Sequence, residues 1–365
     1  MSEFIPVFAQ AADTTAYHLA CLRLIARIHD THANIWGRDS VLDNYFGKYY
    51  PPVQTKFVEG SLVVTGYYTD SAGIKDKLLK GDVITKVDGS PVDMLIKKFL
   101  NMTPASNYET QLRDMPRKIL RGKTAKVSIS IERKGQTISL EIDRYEAALL
   151  KMQIDYDPHP NDSSYRLLNG DIGYIYPGKY HNRQLPAIRQ LFKDTKAIIV
   201  DMRCYPSEIM PFTFGNYIKP WSSGFVKFGH ASLSIPGMIN ISDPIPNGSG
   251  TADHYKGKII VIVDASTQSQ AEYTTMAFQS APNTTVIGST TAGADGNISA
   301  IYLPGDIFTY ISGLGILYPD GRETQRTGVR IDVPVRPTIQ GIREGRDEML
   351  EKAIRLAEQK DTARQ

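Results

Sequence analysis

The sequence has few of the features that mark a specialised class of protein. Its 365 residues include only two cysteines, Cys21 and Cys204, too few for a disulfide framework, and both lie in apolar segments typical of buried thiols. No apolar run approaches the roughly 20 residues of a transmembrane helix. The net charge is +3 with scattered Lys and Arg, so no basic stripe indicates nucleic-acid binding. We therefore expect a globular protein without a membrane span.

The first residues, MSEFIPVFAQ, lack the basic and apolar segments of a secretory signal. Because the chain starts abruptly within a helical pattern, we expect a fragment of a longer protein whose signal lies outside it. The expected location is the cell envelope, on the periplasmic side, or the exterior, and a cytoplasmic location is left open.

The length exceeds what one hydrophobic core usually organises, so we expect more than one domain. The first segment, residues 1–50, carries an amphipathic helix, because apolar residues recur there at helical spacing. They are Tyr17, Ala20, Cys21, Leu24, Ile25 and Ile28. The stretch NYFGKYYPPVQ then predicts an extended linker and a boundary near residue 50, since proline disfavours helix in the residue before it.

Residues 51–146 show short alternating strands, and the run KVSISIERKGQTISLEI predicts a hairpin that turns at RKGQ. The run from Gly81 to Ile84, followed by the turn Asp88-Gly89, resembles the GD-x-I-x-x-v-dG signature of PDZ domains. The resemblance implies an inserted, mainly-β PDZ domain. The alternative is an unrelated small β domain with a DG turn.

Residues 147–365 alternate strands with helices. KAIIVDMR and KIIVIVDAS are continuous apolar runs typical of buried parallel strands, and AEYTTMAFQSA follows the second as a helix. The fold class expected here is an α/β core with a mixed, largely parallel sheet. Sites in such sheets gather at the carboxyl ends of the strands.

The segment VIVDASTQSQAEYTTMAFQ has a strand, a small polar turn and a helix. Such a turn exposes a hydroxyl, while the amides of the helix face any oxyanion that forms. Ser269 is therefore a candidate nucleophile. The alternative is that Ser266, Thr267 and Ser269 only cap the helix.

Four motifs in order resemble the C-terminal-processing (tail-specific) and tricorn-core serine peptidases. Ser269 lies three residues before Glu272, as the nucleophile does in that family, and TTVIGSTTAG follows. Upstream, IIVDMRCYPS resembles the family's strand with D-x-R and a turn. Downstream, GVRIDVPV resembles G-V-x-P-D-x-x-V, with Ile331 in place of the proline. The resemblance implies a serine peptidase that needs no cofactor or metal.

The general base departs from the processing branch. There a lysine ends a G-x-x-T-x-GK run, whereas Ala294 stands at that position here. The tricorn-like branch uses a histidine ahead of the PDZ domain, preceded by a small hydroxyl residue, and Thr31-His32 in IHDTHANIW matches it. We therefore expect His32 to activate the serine, assisted by Thr31. His29 is interpreted as a helix-end residue, and no acidic or cysteine cluster supports a metal site at HDTH.

The resemblance also implies the supporting groups. A glutamate three residues before the final glycine orients the histidine in the tricorn-like branch; Gln325 matches it, with Glu323 as a charged substitute. The oxyanion donors are expected to be the N–H of Gln270 and an N–H in the turn after D-x-R. Ser207 is preferred there over Tyr205, because Pro206 has no N–H.

The PDZ groove is expected to bind a peptide by strand addition, with the loop Val58, Glu59, Gly60, Ser61, Leu62 and Val63 accepting its carboxylate. A purely structural or lid role is the alternative. The sequence thus predicts a serine endopeptidase acting on extended or C-terminal peptide segments. The rival prediction is an inactive pseudopeptidase that binds peptides, since the lysine is absent and Gln325 replaces a carboxylate.

Overall fold

The computed structural model describes residues 2–37, 39–68, 73–150, 152 and 163–359. The chain divides into two compact units. The first unit consists of residues 1–158, 299–311 and 337–346, and the second of residues 159–298, 312–336 and 347–365.

The helices of the described residues are α1 (Phe4–Ala9), α2 (Thr14–Ala26), α3 (Ser40–Phe46), α4 (Ile74–Lys77), α5 (Val92–Leu100), α6 (Tyr108–Leu120), α7 (Ala147–Leu150), α8 (Leu185–Phe192), α9 (Phe214–Ile218), α10 (Gln270–Gln279), α11 (Ile339–Arg343) and α12 (Glu348–Glu358). Within the described ranges, no helix is long and apolar enough to cross a membrane.

The strands are β1 (Tyr49–Tyr50), β2 (Val53–Val58), β3 (Ser61–Tyr67), β4 (Val83–Val87), β5 (Ser90–Pro91), β6 (Lys126–Arg133), β7 (Gln136–Asp143), β8 (Tyr145–Glu146), β9 (Tyr165–Leu168), β10 (Ile172–Ile175), β11 (Ala197–Asp201), β12 (Ser223–Ala231), β13 (Ile239–Ile241), β14 (Ile245–Asn247), β15 (Lys258–Val263), β16 (Thr284–Gly288), β17 (Ile298–Leu303), β18 (Ile307–Ser312), β19 (Gly315–Leu317) and β20 (Val333–Pro334).

The first unit is built on an antiparallel sheet in the order β2-β3-β4-β6-β7, with β5 paired to β4. The hairpin of β6 and β7 turns at Lys134 and Gly135, both with positive φ, as the RKGQ sequence predicts. Along β6 the residues Val127, Ile129 and Ile131 are buried, so the alternation of the sequence defines the inner face.

The N-terminal helices share the core of this sheet. Leu19 and Leu22 of α2 belong to the same buried cluster as Leu62 of β3, Ile84 of β4 and Ile129 of β6. The predicted boundary at residue 50 therefore does not separate two compact units. The amphipathic pattern of α2 was sufficient to predict a helix, but the surface that covers its apolar face depends on the tertiary structure.

The second unit contains a six-stranded sheet in the order β20-β16-β15-β11-β10-β9, in which only β9 is antiparallel to its neighbour. Both faces are covered. Val261 of β15 packs in one core with Phe192 of α8 and Phe278 of α10, whereas Ile260 packs in another with Ala353 of α12. The predicted α/β class is confirmed, and the carboxyl ends of these strands carry the candidate site.

Candidate active site

Ser269 lies in the turn between β15 and α10. It is partly exposed, with φ +56° and ψ −119°, a positive-φ conformation outside the left-handed helical region that is strained for a residue with a side chain. Ser269 is also the N-cap of α10 and forms a capping box with Glu272. The capping role considered as the alternative thus belongs to the candidate nucleophile itself, and capping does not exclude nucleophilic chemistry.

Glu272 holds this turn against the loop that follows β16. Its fully buried carboxylate accepts hydrogen bonds from the N–H groups of Gly293 at 2.8 Å, Ala294 at 3.0 Å and Ser269 at 3.3 Å, and from the Thr291 hydroxyl at 2.5 Å. The N–H of Ser269 also donates to the carbonyl of Ala294 at 3.0 Å. One carboxylate therefore links the serine turn to residues 291–294.

A second buried carboxyl group lies in the same loop. Asp295 is 5% exposed, and among the described residues no hydrogen bond of full geometry reaches its carboxyl oxygens, although the Tyr273 N–H and the Thr324 hydroxyl partly stabilise its charge. Burial raises the pKa of Asp295 well above its ordinary range, and the charge of Glu272 raises it further. Burial also raises the pKa of Glu272, but its four hydrogen bonds favour the ionised form. We therefore assign the proton of this pair to Asp295.

The segment of residues 323–329 packs on this loop. The N–H of Arg326 donates to the carbonyl of Gly293 at 2.8 Å, and a Cβ on Gly293, whose φ is +64°, would approach the Arg326 backbone to 2.8 Å. Only glycine fits there. Gln325 is half-buried and Glu323 is exposed, and both lie in the second unit with Ser269.

The loop of residues 203–213 follows β11. The N–H of Ser207 donates to the carbonyl of Pro177 at 3.0 Å, so this donor, preferred from the sequence, is already engaged. The N–H groups of Tyr205 and Gln270 make no hydrogen bond with the described residues. Within the second unit, these two remain the candidate oxyanion donors.

His32 lies in the first unit and is 7% exposed. Its Nδ1 atom lies 3.8 Å from Oδ1 of Asp30, which also accepts the His32 N–H at 2.9 Å. Burial lowers the pKa of His32, and the charge of Asp30 partly opposes that shift. Sequence reasoning missed Asp30 as a partner of His32. The signal was the HDTH spacing, which was considered only for a metal site.

Thr31 fixes the chain beside His32. Its hydroxyl accepts the N–H of Ser106 at 2.9 Å, and the Ser106 hydroxyl accepts the N–H of Thr31 at 2.9 Å. Trp36 donates its indole N–H to the carbonyl of His32 at 2.8 Å. The His32 segment is therefore held by long-range as well as local hydrogen bonds.

The predicted peptide-binding loop also lies in the first unit. Val58, Leu62 and Val63 are buried, and the Glu59 carboxylate accepts the N–H of Ile339 at 3.1 Å. β3 pairs with β2 and β4, whereas β2 is the edge strand. At this side of the sheet, an added peptide strand can therefore pair with β2 but not with β3.

Comparison with known proteins gives a family for part of the chain and a fold for most of it. Residues 230–335 match the model of peptidase family S41. No curated protein sequence matches the chain. Within the described part of the chain, no group of three or more His, Cys, Asp or Glu side chains could hold a metal ion.

The fold is similar to that of mature CPAF complexed with lactacystin, with a TM-score of 0.73 and 13% identity over 98% of this chain and 90% of that chain. Another structure of mature CPAF has a TM-score of 0.69 and 14% identity over 94% and 87% of the two chains. A protein from Parabacteroides merdae assigned as a peptidase has a TM-score of 0.51 and 18% identity over 75% and 91%. The match of residues 230–335 to peptidase family S41 and the shared fold confirm the resemblance to serine peptidases predicted from the sequence.

Proposed function

We propose that the chain is an endopeptidase in which Ser269 attacks a peptide carbonyl and His32 accepts the serine proton. The observation that carries the proposal is the strained turn of Ser269 at the start of α10, held by the buried carboxylate of Glu272. A strained positive-φ residue between a strand and a helix presents its side chain outwards with the helix amides behind it. Strain of this kind persists only where the surroundings enforce it.

The position of Ala294 and the contacts of Lys219 give little support to a Ser-Lys mechanism. Ala294 occupies the position of the processing-branch lysine. Burial lowers the pKa of Lys219 to about 8, but its ammonium donates to Ser223, Asn247 and Ser280, each at 2.8 Å. Ser280 follows the far end of α10, about 16 Å along the helix from Ser269. A histidine base is the simpler proposal.

Asp30 joins Gln325 and Glu323 as a candidate partner of this base. A carboxylate beside Nδ1 favours the tautomer with its proton on Nδ1 and its acceptor lone pair on Nε2, and it stabilises the imidazolium that forms. The separation of 3.8 Å is longer than a hydrogen bond, so we propose that Asp30 acts mainly through its charge. Gln325 stays a proposed orienting residue and Glu323 its charged substitute.

The N–H groups of Gln270 and Tyr205 are the proposed oxyanion donors. They come from the first residue of α10 and from the loop after β11, which are neighbouring positions because β11 pairs with β15. Tyr205 replaces Ser207 as the preferred second donor, since the Ser207 N–H is engaged by Pro177.

We further propose that the sheet of the first unit acts as a PDZ domain that binds the substrate chain, with the loop from Val58 to Val63 near its carboxylate. A groove between the β2 edge and α6 supports this, because Arg113 and Arg117 line it together with Val53 and Thr55. Apolar and cationic groups beside an open strand edge suit an extended peptide with a free carboxylate. A cell-envelope or secreted location also stays a prediction.

A fluorophosphonate probe tests the nucleophile, because only an activated serine is labelled rapidly. We expect the parent chain to be labelled and Ser269→Ala to be unlabelled. Ser266→Ala is the matched control, since its hydroxyl donates to Asp264 at 2.6 Å in the same turn, and it should be labelled like the parent. Lactacystin, present in the CPAF structure, should compete for labelling. A folded parent that is never labelled would support the pseudopeptidase instead.

A further inference from the structure

Glu208 lies at the centre of a hydrogen-bond cluster that the proposed mechanism does not use. One oxygen of its carboxylate accepts from Nδ1 of His181 at 2.8 Å, and the other accepts the N–H of Asn182 at 2.7 Å. These bonds, the Asn182 bond first, hold the pKa of Glu208 below its ordinary range. The ionised carboxylate is therefore an acceptor, and His181 is the donor.

The same two segments make further contacts. The N–H of Ser207 donates to Pro177, and its hydroxyl donates to the carbonyl of Tyr180. The Asn182 side chain donates to the carbonyl of Ile209 at 3.2 Å and accepts from the Thr213 hydroxyl at 2.5 Å. These hydrogen bonds therefore hold the loop of residues 203–213, which follows β11, against residues 177–182, which follow β10.

The loop of residues 203–213 also contacts α10, the helix that begins after Ser269. The side-chain amide of Gln270 donates to the carbonyl of Glu208 at 2.9 Å. Gln270 is the residue after Ser269, and Tyr205 lies three residues before Glu208 in the loop of residues 203–213. The position of the Glu208 backbone therefore sets the distance between the loop and the start of α10.

We propose that His181 and Glu208 are positioning residues that fix the loop of residues 203–213 against α10, so that the N–H groups of Tyr205 and Gln270 face one oxyanion. This inference rests on the proposed role of Ser269. His181 acts through Nδ1 and Glu208, not as a base, because the bond that it donates to Glu208 is the link that holds the loop.

Two substitutions at one position separate positioning from proton transfer. Asn places its amide nitrogen near the position of Nδ1, so His181→Asn retains the bond to Glu208 and lacks Nε2, whereas His181→Ala lacks both. In burst-phase acylation by p-nitrophenyl acetate, we expect His181→Ala to lower the maximal rate about 10- to 100-fold, with the half-saturating concentration unchanged, because misplacing an oxyanion donor affects the transition state. His181→Asn should retain most of the rate.

The control is Asp253→Ala, which removes a different ion pair of the second unit, that of Arg189 with an exposed carboxylate, and should leave the rate unchanged. An acylation rate in His181→Ala equal to that of the parent would overturn the inference. An equal loss of rate in His181→Asn and His181→Ala would also overturn it, because the function would then belong to Nε2.

Amide hydrogen exchange tests whether His181 and Glu208 hold the loop of residues 203–213, and it needs no activity assay. Exchange of the backbone amides of residues 204–213 should increase in His181→Ala and Glu208→Ala and stay near the parent level in His181→Asn. Unchanged exchange in both Ala variants would overturn the inference even if Ser269 is the nucleophile. If the exchange differences are as expected but the fluorophosphonate does not label Ser269 in the parent, the proposed function fails and the positioning of the loop does not.

Discussion

The carbonyl oxygen of Ala294 accepts the main-chain N–H of Ser269 at 3.0 Å. Ala294 occupies the position at which the processing branch has its lysine, so that position adjoins the turn of Ser269, the candidate nucleophile, through the backbone. Its side chain is completely buried. The loop after β16 therefore keeps contact with the serine turn although the amine is absent.

This contact leads to a prediction for Ala294→Lys. A lysine at a fully buried position meets crowding and loses the hydration of its charge, so the variant should unfold at a lower temperature and should not restore acylation in a His32→Ala background. Ala294→Met is the matched control for added volume without charge. Recovery of acylation in the double variant would show that the site still supports a Ser-Lys mechanism.

Replacing Ser269 should separate chemistry from backbone strain. Ser269→Ala and Ser269→Gly both remove the hydroxyl, so neither should acylate. Glycine adopts this positive-φ conformation without the penalty of about 1–3 kcal/mol that strained backbone costs other residues, so Ser269→Gly should be more stable than Ser269→Ala in urea unfolding. A glycine variant less stable than the alanine variant would show that the positive-φ conformation of Ser269 carries no strain.

Asp295 should make stability depend on pH. Burial raises the pKa of Asp295 in the folded state above the unfolded value of about 3.9. At a pH between these two pKa values, the native protein therefore binds more protons than the unfolded chain. The free energy of unfolding should then decrease as pH rises through this window, by at most about 1.4 kcal/mol per pH unit. Asp295→Asn should flatten the decrease, whereas Asp243→Asn, which changes an exposed carboxylate, should not. Identical slopes in parent and Asp295→Asn would contradict the assigned proton.

The pH profile of burst-phase acylation tests His32 and Asp30. Burial lowers the pKa of His32, so activity should rise with pH on a limb below the ordinary imidazole value of about 6.5. Asp30→Asn removes the charge that opposes this shift. The limb should move to still lower pH and the plateau should decrease, because imidazolium loses a stabilising charge.

Two further variants complete this test. His32→Ala should lower acylation by several orders of magnitude, and an unchanged burst would refute the Ser-His mechanism. Gln325→Glu should move the limb upward and maintain or increase the plateau, because a carboxylate stabilises imidazolium better than an amide. A downward movement would exclude Gln325 as the orienting residue.

Local patterns in the sequence determined much of the architecture. Alternation predicted the hairpin of β6 and β7, continuous apolar runs predicted β11 and β15, and the strand-turn-helix pattern selected Ser269. These features depend on residues close together in the chain, where periodicity and turn chemistry are direct physical signals.

The tertiary structure decided which groups meet. Glu272 accepts the N–H groups of Gly293 and Ala294, and the carbonyl of Pro177 accepts the Ser207 N–H that the sequence preferred for the oxyanion. Among the described residues, no hydrogen bond of full geometry reaches the buried carboxyl group of Asp295. Each depends on packing between residues about 20 or more positions apart, and such pairs leave no periodic trace in the sequence. The sequence by itself thus determined the elements and selected Ser269 as the candidate nucleophile, whereas only the folded chain decided which polar groups are already hydrogen-bonded.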